Sequence, residues 1–253
     1  MKQEIIRNFR QQLSKDGVIG IFSKTSDPTF IEVSGHAGLD FVIIDLEHSA
    51  NNFRIAQELV IAAENANIVP IIRVSEGNER NIGTALDIGA YGIQVPHVVS
   101  VNDAKSIVNY ARYFPDGERG LCRYVRQANY SSVKTQQFLM ESNNALVIIQ
   151  IEGTEALENL DLILDVKGID IVFIGPYDLS QSLNCPGEVD SEPVIETIAD
   201  IIDRAQSRGI KTGIFTDTIE SLKFWKTKGI NYLSYSVDVG IFSEACKSIK
   251  EQI

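Results

Sequence analysis

The run Phe41-Val42-Ile43-Ile44-Asp45-Leu46-Glu47-His48 contains the pattern that decides the fold of this chain. It starts with uninterrupted apolar residues, and it ends with two acids and a histidine. An uninterrupted apolar run is typical of a strand that is buried on both faces of a parallel sheet. We therefore predict a core strand at 41–45 that presents polar side chains where it ends.

Similar runs recur along the 253 residues, at 18–22, 69–74, 92–96, 145–151, 169–174, 210–215 and 231–235. Stretches with helical spacing separate most of them, at 52–66, 78–88, 102–113, 154–164, 192–207 and 218–227. Alternating strands and helices with short connections form parallel sheets with right-handed crossovers. Eight such units predict an α/β fold, a (β/α)8 TIM barrel that occupies residues 1–253 as one domain. An open doubly wound sheet is the alternative, but no Gly-x-Gly-x-x-Gly motif follows the first strand.

The composition narrows the possible functions. The formal net charge of -11 argues against a nucleic-acid partner, which would need clustered Lys and Arg. The three cysteines show neither disulfide nor zinc spacing. The N-terminus lacks the apolar core of a signal peptide, and no apolar run is long enough for a membrane span. We expect a cytoplasmic protein that acts on a small molecule.

Polar residues at strand ends are the candidates for a site, because barrel enzymes place their active sites at the C-terminal ends of the strands. Glu152 and Asp178 follow neighbouring strands, and two such carboxylates repel each other unless a proton or a cation lies between them. Oxygen ligands suit Mg²⁺ or Mn²⁺. The pair predicts a metal site, whereas pairing with a loop lysine or capping a helix is the alternative for each acid alone.

Arg73 and His48 suggest the rest of the chemistry. Arg73 ends an apolar strand, and a buried guanidinium needs an anion. That anion is either a substrate carboxylate or an internal partner, Asp45 or Glu47. His48 could act as a general base if Asp45 held its ring in one tautomer. A metal, an arginine and a base together fit chemistry on a 2-keto acid.

Six segments, in order, resemble the HpcH/HpaI aldolase family: residues 38–48, 70–74, 85–90, 117–120, 150–152 and 173–180. The resemblance implies a barrel of the phosphoenolpyruvate/pyruvate-domain type and a class II pyruvate aldolase. Such enzymes cleave 4-hydroxy-2-oxo acids to pyruvate and an aldehyde, and they also catalyse the reverse carboligation. The implied cofactor is a divalent metal, Mg²⁺, Mn²⁺ or Co²⁺.

The resemblance also implies roles for individual residues. Glu152 and Asp178 would bind the metal, and Arg73 would bind pyruvate. His48, supported by Asp45, would transfer protons. Gln150 would line the site, and the backbone of Gly175 and Pro176 would contact the pyruvate carboxylate. Asp87 would reach the site of a neighbouring subunit. The resemblance further implies a hexamer built from dimers that exchange their last helix, here residues 242–253.

The segment after Gly120 departs from the family pattern, because it contains Arg123 and Arg126 where many members have small residues. These cations could meet an acidic or phosphorylated aldehyde at the rim, or they could be solvated or paired across a subunit boundary. The aldehyde therefore stays open. The alternatives are a decarboxylase of the oxaloacetate or macrophomate-synthase type and a phosphoenolpyruvate-using lyase. Both would use the same metal-stabilised enolate.

Two other hypotheses about the function remain. A class I aldolase would need a Schiff-base lysine at a strand end, and only Lys24 is placed for that role. A protein that binds its ligand without turnover would have no need of His48 as a base.

Overall fold

The computed structural model describes residues 2–253, and it shows a closed barrel of eight parallel strands in sequence order. The strands are β1 (Val18–Ser23), β2 (Phe41–Asp45), β3 (Val69–Arg73), β4 (Gly92–Val95), β5 (Leu146–Ile151), β6 (Ile171–Ile174), β7 (Lys211–Thr216) and β8 (Tyr232–Val237). Each begins and ends within two residues of its predicted range. The predicted TIM barrel is confirmed.

Helices surround the barrel. The first six are α1 (Lys2–Lys15), α2 (Pro28–His36), α3 (Phe53–Asn65), α4 (Glu79–Asp87), α5 (Val101–Ala111) and α6 (Thr135–Ser142). The others are α7 (Thr154–Glu158), α8 (Leu160–Leu164), α9 (Pro176–Ser182), α10 (Glu192–Ser207), α11 (Ile219–Thr227) and α12 (Asp238–Glu251). The helix predicted at 154–164 is thus divided into α7 and α8. The predicted loop at 114–132 contains a 3₁₀ helix, Arg126–Ser131.

The interior of the barrel is filled by large side chains. The rings of Phe41 and Tyr232 are stacked with their centroids 4.0 Å apart, and Phe173 meets Tyr232 edge-on at 6.0 Å. Helix α1 adds Phe9 and Leu13 to the same apolar cluster. Because this cluster includes the first residues of several strands, α1 closes the end of the barrel where the strands begin.

A second apolar layer lies between the strands and the outer helices. Helix α10 shows how it forms, since Val194, Ile198, Ile201 and Ala205 recur every three or four residues and are all buried. Burial of one such aliphatic side chain is worth about 1.5–3 kcal/mol. The apolar spacing seen in the sequence is therefore the face that holds each helix against the sheet.

The strand register places the polar strand ends side by side. Asp45 at the end of β2 is paired with Arg73 of β3, and Arg73 is paired in turn with Gln94 of β4. Gln150 of β5 is paired with Phe173 of β6. Among the described residues, no helix is both long and apolar enough to span a membrane.

Candidate active site

A cavity of about 200 Å³ opens at the C-terminal ends of the strands. Its lining includes most of the site residues predicted from the sequence, together with an aromatic wall. The lining residues are Phe22, Lys24, His48, Arg73, Gln150, Glu152, Phe173, Gly175, Pro176, Tyr177, Asp178, Phe215 and Val237. Of the predicted residues, Asp45 and Asp87 are not among them.

The Arg73 guanidinium is held on one side of this cavity by two acids. Its Nε donates to Oδ1 of Asp45 at 2.8 Å, and its Nη2 donates to Oδ2 of Asp45 at 2.7 Å. Its Nη1 lies 2.9 Å from Oε2 of Glu47, an ion-pair distance without hydrogen-bond alignment. The guanidinium also lies over the Phe22 ring, 4.6 Å from its centroid. The internal partners considered for Arg73 are thus both present, and the guanidinium still borders the cavity.

Asp45 is fully buried beneath the cavity. Burial alone would raise the pKa of its carboxyl group, but the hydrogen bonds and charge of Arg73 and the amides of Glu47 and His48 lower that pKa overall. Asp45 is therefore an anion that fixes Arg73 in position.

The expected support of the His48 ring by Asp45 is wrong. Oδ1 of Asp45 accepts the backbone N–H of His48 at 3.3 Å, while both carboxylate oxygens face Arg73. Because that carboxylate is bound in a bidentate pair, it is not available to the imidazole. The His48 ring is largely exposed at the rim, with Nε2 3.9 Å from Oε1 of Glu47. Asp45 thus positions the His48 backbone but not its ring.

His97 connects the two sides of the site, and its role was not predicted. It follows β4 with a left-handed backbone, φ 55°, which is uncommon outside glycine. Its ring nitrogen Nε2 lies 3.0 Å from Oε1 of Glu47, and Nδ1 lies 3.0 Å from Oε1 of Glu152. Burial raises the pKa of Glu47, against the opposing charge of Arg73. The position of His97 just after a strand was the available signal in the sequence.

Glu152 is buried just after β5, and each oxygen of its carboxylate accepts a hydrogen bond. Oε1 accepts the backbone N–H of His97 at 2.8 Å, and Oε2 accepts Nε2 of Gln150 at 2.8 Å. Gln150 is oriented in turn by Nε2 of Gln94, which donates to its Oε1 at 2.6 Å. This chain of amides explains why a glutamine, and not an apolar residue, precedes Glu152 on the inner face.

Gly175 leaves the space that Glu152 occupies. A Cβ atom at position 175 would lie 2.7 Å from Oε2 of Glu152, closer than real Cβ contacts allow. The oxygen Oε2 therefore faces the end of β6, where Asp178 follows in the first turn of α9.

The donor chemistry of Glu152 and Asp178 fits a hard divalent cation. Both carboxylates line the cavity, and among the described contacts Asp178 has no hydrogen bond or ion pair. The described residues hold no cluster of three or more His, Cys, Asp or Glu suited to a metal. Two carboxylates with the remaining positions open to water and substrate oxygens are typical of Mg²⁺ sites, and they do not form a closed protein cage.

The opposite wall of the cavity is aromatic. Phe22 lies 6.1 Å from Phe173 and 5.9 Å from Phe215, measured between ring centroids. Tyr177 lies 6.2 Å from Phe215, and its hydroxyl donates to Asp217, which raises the pKa of Tyr177 to about 12. This wall was not predicted from the sequence, because its members come from four separate elements, β1, β6, β7 and α9.

Lys24 borders the cavity but is engaged by polar partners. Its Nζ donates to the backbone carbonyl of His48 at 2.9 Å and lies 3.4 Å from Oδ2 of Asp45. The buried carboxylate of Asp238 holds the Lys24 backbone N–H at 3.0 Å. A Schiff-base lysine must be an unpaired nucleophile. The ion pair therefore argues against a class I mechanism through Lys24.

Asp87 lies away from the cavity, at the end of α4. Its Oδ1 accepts Nη2 of Arg119 at 2.5 Å, and Arg119 also lies over the Tyr113 ring. The role of Asp87 at a neighbouring subunit's site stays a prediction.

Neither Arg123 nor Arg126 contacts the rim in this chain. Nη2 of Arg123 donates to the backbone carbonyls of Ser131 and Val133 at 3.2 and 3.1 Å. Arg126 pairs with Glu64, near the end of α3 where the strands begin. Within this chain both side chains fix their own segment, and a contact of either cation with the aldehyde stays one of the alternatives considered from the sequence.

A wider groove of about 980 Å³ lies beside α1 and includes Arg7 and Arg10. It lies at the end of the barrel where the strands begin, whereas barrel chemistry occurs where they end. Arg10 is paired there with Asp170. The groove brings together no acid, base and anion-binding group as the smaller cavity does.

Comparisons with known proteins identify relatives of this chain. A sequence model of the HpcH/HpaI aldolase/citrate lyase family matches residues 18–245. The 2-keto-3-deoxy-L-rhamnonate aldolase of Escherichia coli O6:K15:H31 (strain 536 / UPEC) is 33% identical over 240 residues, which cover 94% of this chain and 89% of that protein. The hydroxypyruvate/pyruvate aldolase of Roseobacter denitrificans is 32% identical over 246 residues, 96% of each. The crystal structure of the citrate synthase SbnG has a TM-score of 0.86 at 32% identity and covers 96% of each chain.

The family match runs from the first residue of β1 into α12, so it covers the whole barrel and every site residue described above. The similarity to the two aldolases named above extends over nearly the full length of each enzyme. The chain is accordingly a lyase of the aldolase type, and it belongs to the HpcH/HpaI aldolase/citrate lyase family.

Proposed function

We propose that this enzyme is a metal-dependent class II aldolase that cleaves a 4-hydroxy-2-oxo acid to pyruvate and an aldehyde, or joins them in reverse. One observation carries the proposal: two carboxylates suited to a cation, an ion-paired arginine and a histidine line the same small cavity. The volume of about 200 Å³ suits a keto acid of a few carbons with part of its partner.

Arg73 would bind the carboxylate of the keto acid. A guanidinium has five N–H groups, and Asp45 accepts two of them here. The others, on Nη1 and Nη2, remain for Glu47 and for a substrate oxygen. Gly175 and Pro176 border the same cavity and would contact that carboxylate through the backbone. The fixed orientation of Arg73 means that little side-chain entropy is lost when the substrate binds.

Glu152 and Asp178 would hold the metal, which we propose to be Mg²⁺, Mn²⁺ or Co²⁺. A divalent ion at this place supplies Lewis-acid chemistry, because it polarises the keto group of a 2-oxo acid. Gln150 and the amide of His97 keep the Glu152 carboxylate in one orientation. The protein's part is to hold these two carboxylates in the lining of the cavity that Arg73 also borders.

His48 would act as the base for the 4-hydroxyl group, directly or through one water. When it removes the hydroxyl proton, the aldehyde carbonyl forms, the C3–C4 bond breaks, and its electron pair passes to C3. In the reverse direction the same imidazole returns the proton to the new alcohol. The exposed position of His48 at the rim is consistent with a group that faces the outer, aldehyde half of the substrate.

Decarboxylation of an oxaloacetate-type acid is the alternative on the same site, since it needs the arginine and the cation but no base at a hydroxyl group. We favour the aldol reaction because His48 borders the cavity and because the named relatives include aldolases. Turnover of oxaloacetate compared with that of aldol substrates distinguishes the two reactions.

The assembly is also proposed. Helix α12 has Asp238 as its buried residue, whereas Phe242 and Ile249 are each 62% exposed. Apolar side chains so exposed mark an interaction surface. They support an exchange of residues 242–253 between subunits in a homo-oligomer, a hexamer built as a trimer of dimers, which light scattering during gel filtration would test.

Metal removal tests the proposed function. After dialysis against EDTA, formation of pyruvate from a 4-hydroxy-2-oxo acid, coupled to lactate dehydrogenase, should be lost, and Mg²⁺, Mn²⁺ or Co²⁺ should restore it. Glu152→Gln should abolish the restored activity, while the matched control Glu155→Gln, at an exposed position of α7, should keep it. Full activity in excess EDTA would refute the class II mechanism. A series of aldehydes with pyruvate and Mn²⁺ would then identify the partner.

A further inference from the structure

His97 is not itself among the residues that line the cavity, yet its ring contacts two acids of the site, Glu47 and Glu152. Its ring spans Glu47, the partner of Arg73, and Glu152, the proposed metal ligand. Among the described residues, no other side chain contacts both Glu47 and Glu152. This location suggests a role in the relative placement of the two sides.

The contacts to Glu152 are selective for one oxygen. Both the backbone N–H of His97, at 2.8 Å, and its Nδ1, at 3.0 Å, approach Oε1. The other oxygen, Oε2, receives a single donor, Nε2 of Gln150. It is also the oxygen that faces Gly175. The backbone N–H donates to Oε1, and the ring adds a second contact to the same oxygen, so Oε2 keeps a lone pair toward the end of β6, after which Asp178 follows.

The ring is anchored at its far side. Nε2 lies 3.0 Å from Oε1 of Glu47, and Glu47 is itself in ion-pair contact with Arg73. The left-handed backbone at His97 turns the chain immediately after β4 so that both its amide and its ring can face Glu152. A left-handed residue with a large side chain costs free energy, and such positions persist where the surrounding contacts hold them.

We propose that His97 is a positioning residue for the metal ligand: it occupies Oε1 of Glu152 so that Oε2 is directed to the cation. The inference rests on the proposed metal dependence of the enzyme. Partners that orient a metal ligand from the second layer typically change metal affinity or activity about 10–100-fold when they are removed. Through Glu47, the same ring fixes the metal ligand relative to the arginine that binds the keto-acid carboxylate.

The test measures metal binding directly. His97→Asn removes the ring but keeps a residue type that tolerates a left-handed backbone. Free Mn²⁺, followed by electron paramagnetic resonance in titrations of the dialysed protein, should show an affinity about tenfold weaker or more. His36→Asn, at an exposed position at the end of α2, is the matched control and should bind Mn²⁺ like the unaltered protein. Melting in EDTA should stay cooperative in both variants.

The outcomes are separable. If the unaltered protein binds no Mn²⁺, the proposed metal dependence fails, and the inference falls with it. If it binds Mn²⁺ and the folded His97→Asn protein binds equally well, His97 has no positioning role and the proposed function is untouched. Should His97→Asn not fold, Glu47→Met provides the second test, because it removes the anchor of the ring without touching Glu152. Its Mn²⁺ affinity should fall several-fold, and an unchanged affinity would overturn the inference.

Discussion

Replacement of Arg73 by lysine separates the internal role of this residue from its role in substrate binding. The guanidinium donates two hydrogen bonds to Asp45 and contacts Glu47 through Nη1. A lysine ammonium has three donors, so it can give at most one each to Asp45, Glu47 and a substrate carboxylate. Arg73→Lys therefore loses one hydrogen bond to Asp45 and one to the keto acid, while the positive charge is kept.

The two losses have a similar size. A hydrogen bond to a charged group contributes about 1.5–3 kcal/mol, and Asp45 is fully buried, so water cannot replace the lost donor. We expect the free energy of unfolding to fall by about 2 kcal/mol. The same loss on the substrate carboxylate would weaken pyruvate binding about 30-fold, at about 1.4 kcal/mol for each factor of ten.

Urea unfolding monitored by circular dichroism would measure the first effect, and the KM for pyruvate in the carboligation direction would measure the second. Arg54→Lys is the matched control, because the Arg54 side chain is 90% exposed and its ion pair is with Glu58, one turn along the same helix. It should change neither quantity by much, since exposed substitutions are usually within about 0.5 kcal/mol.

Each half of the reasoning can be refuted separately. A folded Arg73→Lys protein with unchanged KM and kcat would leave Arg73 with a purely structural role. A protein of unchanged stability would show that the buried pair with Asp45 does not need the bidentate geometry.

Three further predictions concern other parts of the site. His48→Ala should lose aldol cleavage by on the order of a hundredfold while oxaloacetate decarboxylation suffers less, and an equal loss of both would remove His48 from the role of base. Gly175→Ala should lower kcat/KM about tenfold or more, because the new Cβ would crowd Oε2 of Glu152, whereas Gly83→Ala, with open space at its Cβ, should be silent. Because Arg73 holds the pKa of Asp45 in the folded protein below the ordinary value of an aspartate, the pair stabilises the fold above that ordinary pKa, and the benefit is lost as the pH falls through the folded pKa. Urea melts between neutral and acidic pH should show a smaller acid-induced loss in Asp45→Asn than in the unaltered protein, and identical losses would contradict the lowered pKa.

The fold could be predicted because it depends on local pattern. Apolar runs such as 41–45 and 169–174 are buried on both faces, and helices such as α10 have apolar residues every three or four positions, so neighbouring residues suffice to identify them. The division of 154–164 into α7 and α8 was not predictable in this way. Asn159 there forms both the end of one helix and the start of the next, and both segments keep the helical apolar spacing.

The members of the site could also be predicted, since a residue that follows a buried strand must lie at the rim. Arg73, Gln150, Glu152 and Asp178 were identified in this way, and they line one cavity. The method uses only the position of a residue relative to its own strand. It carries no information about the direction of a side chain at the end of that strand.

The choice of partners is therefore where sequence reasoning failed, and the physical reason is that partners come from different strands. Asp45 is three residues from His48 in sequence, but the β2–β3 register places it directly beside Arg73, and a bidentate pair with a guanidinium is stronger than one hydrogen bond to an imidazole. Because Asp45 is paired with Arg73, the nearby acid that contacts a histidine is Glu47. Its Oε1 lies 3.0 Å from Nε2 of His97. The same choice between possible partners produces a series of contacts that crosses four strand ends. Its members, in order, are Asp45, Arg73, Glu47, His97 and Glu152. We therefore expect Arg73→Lys, near one end of this order, to change the position of Glu152, the proposed metal ligand, at the other end.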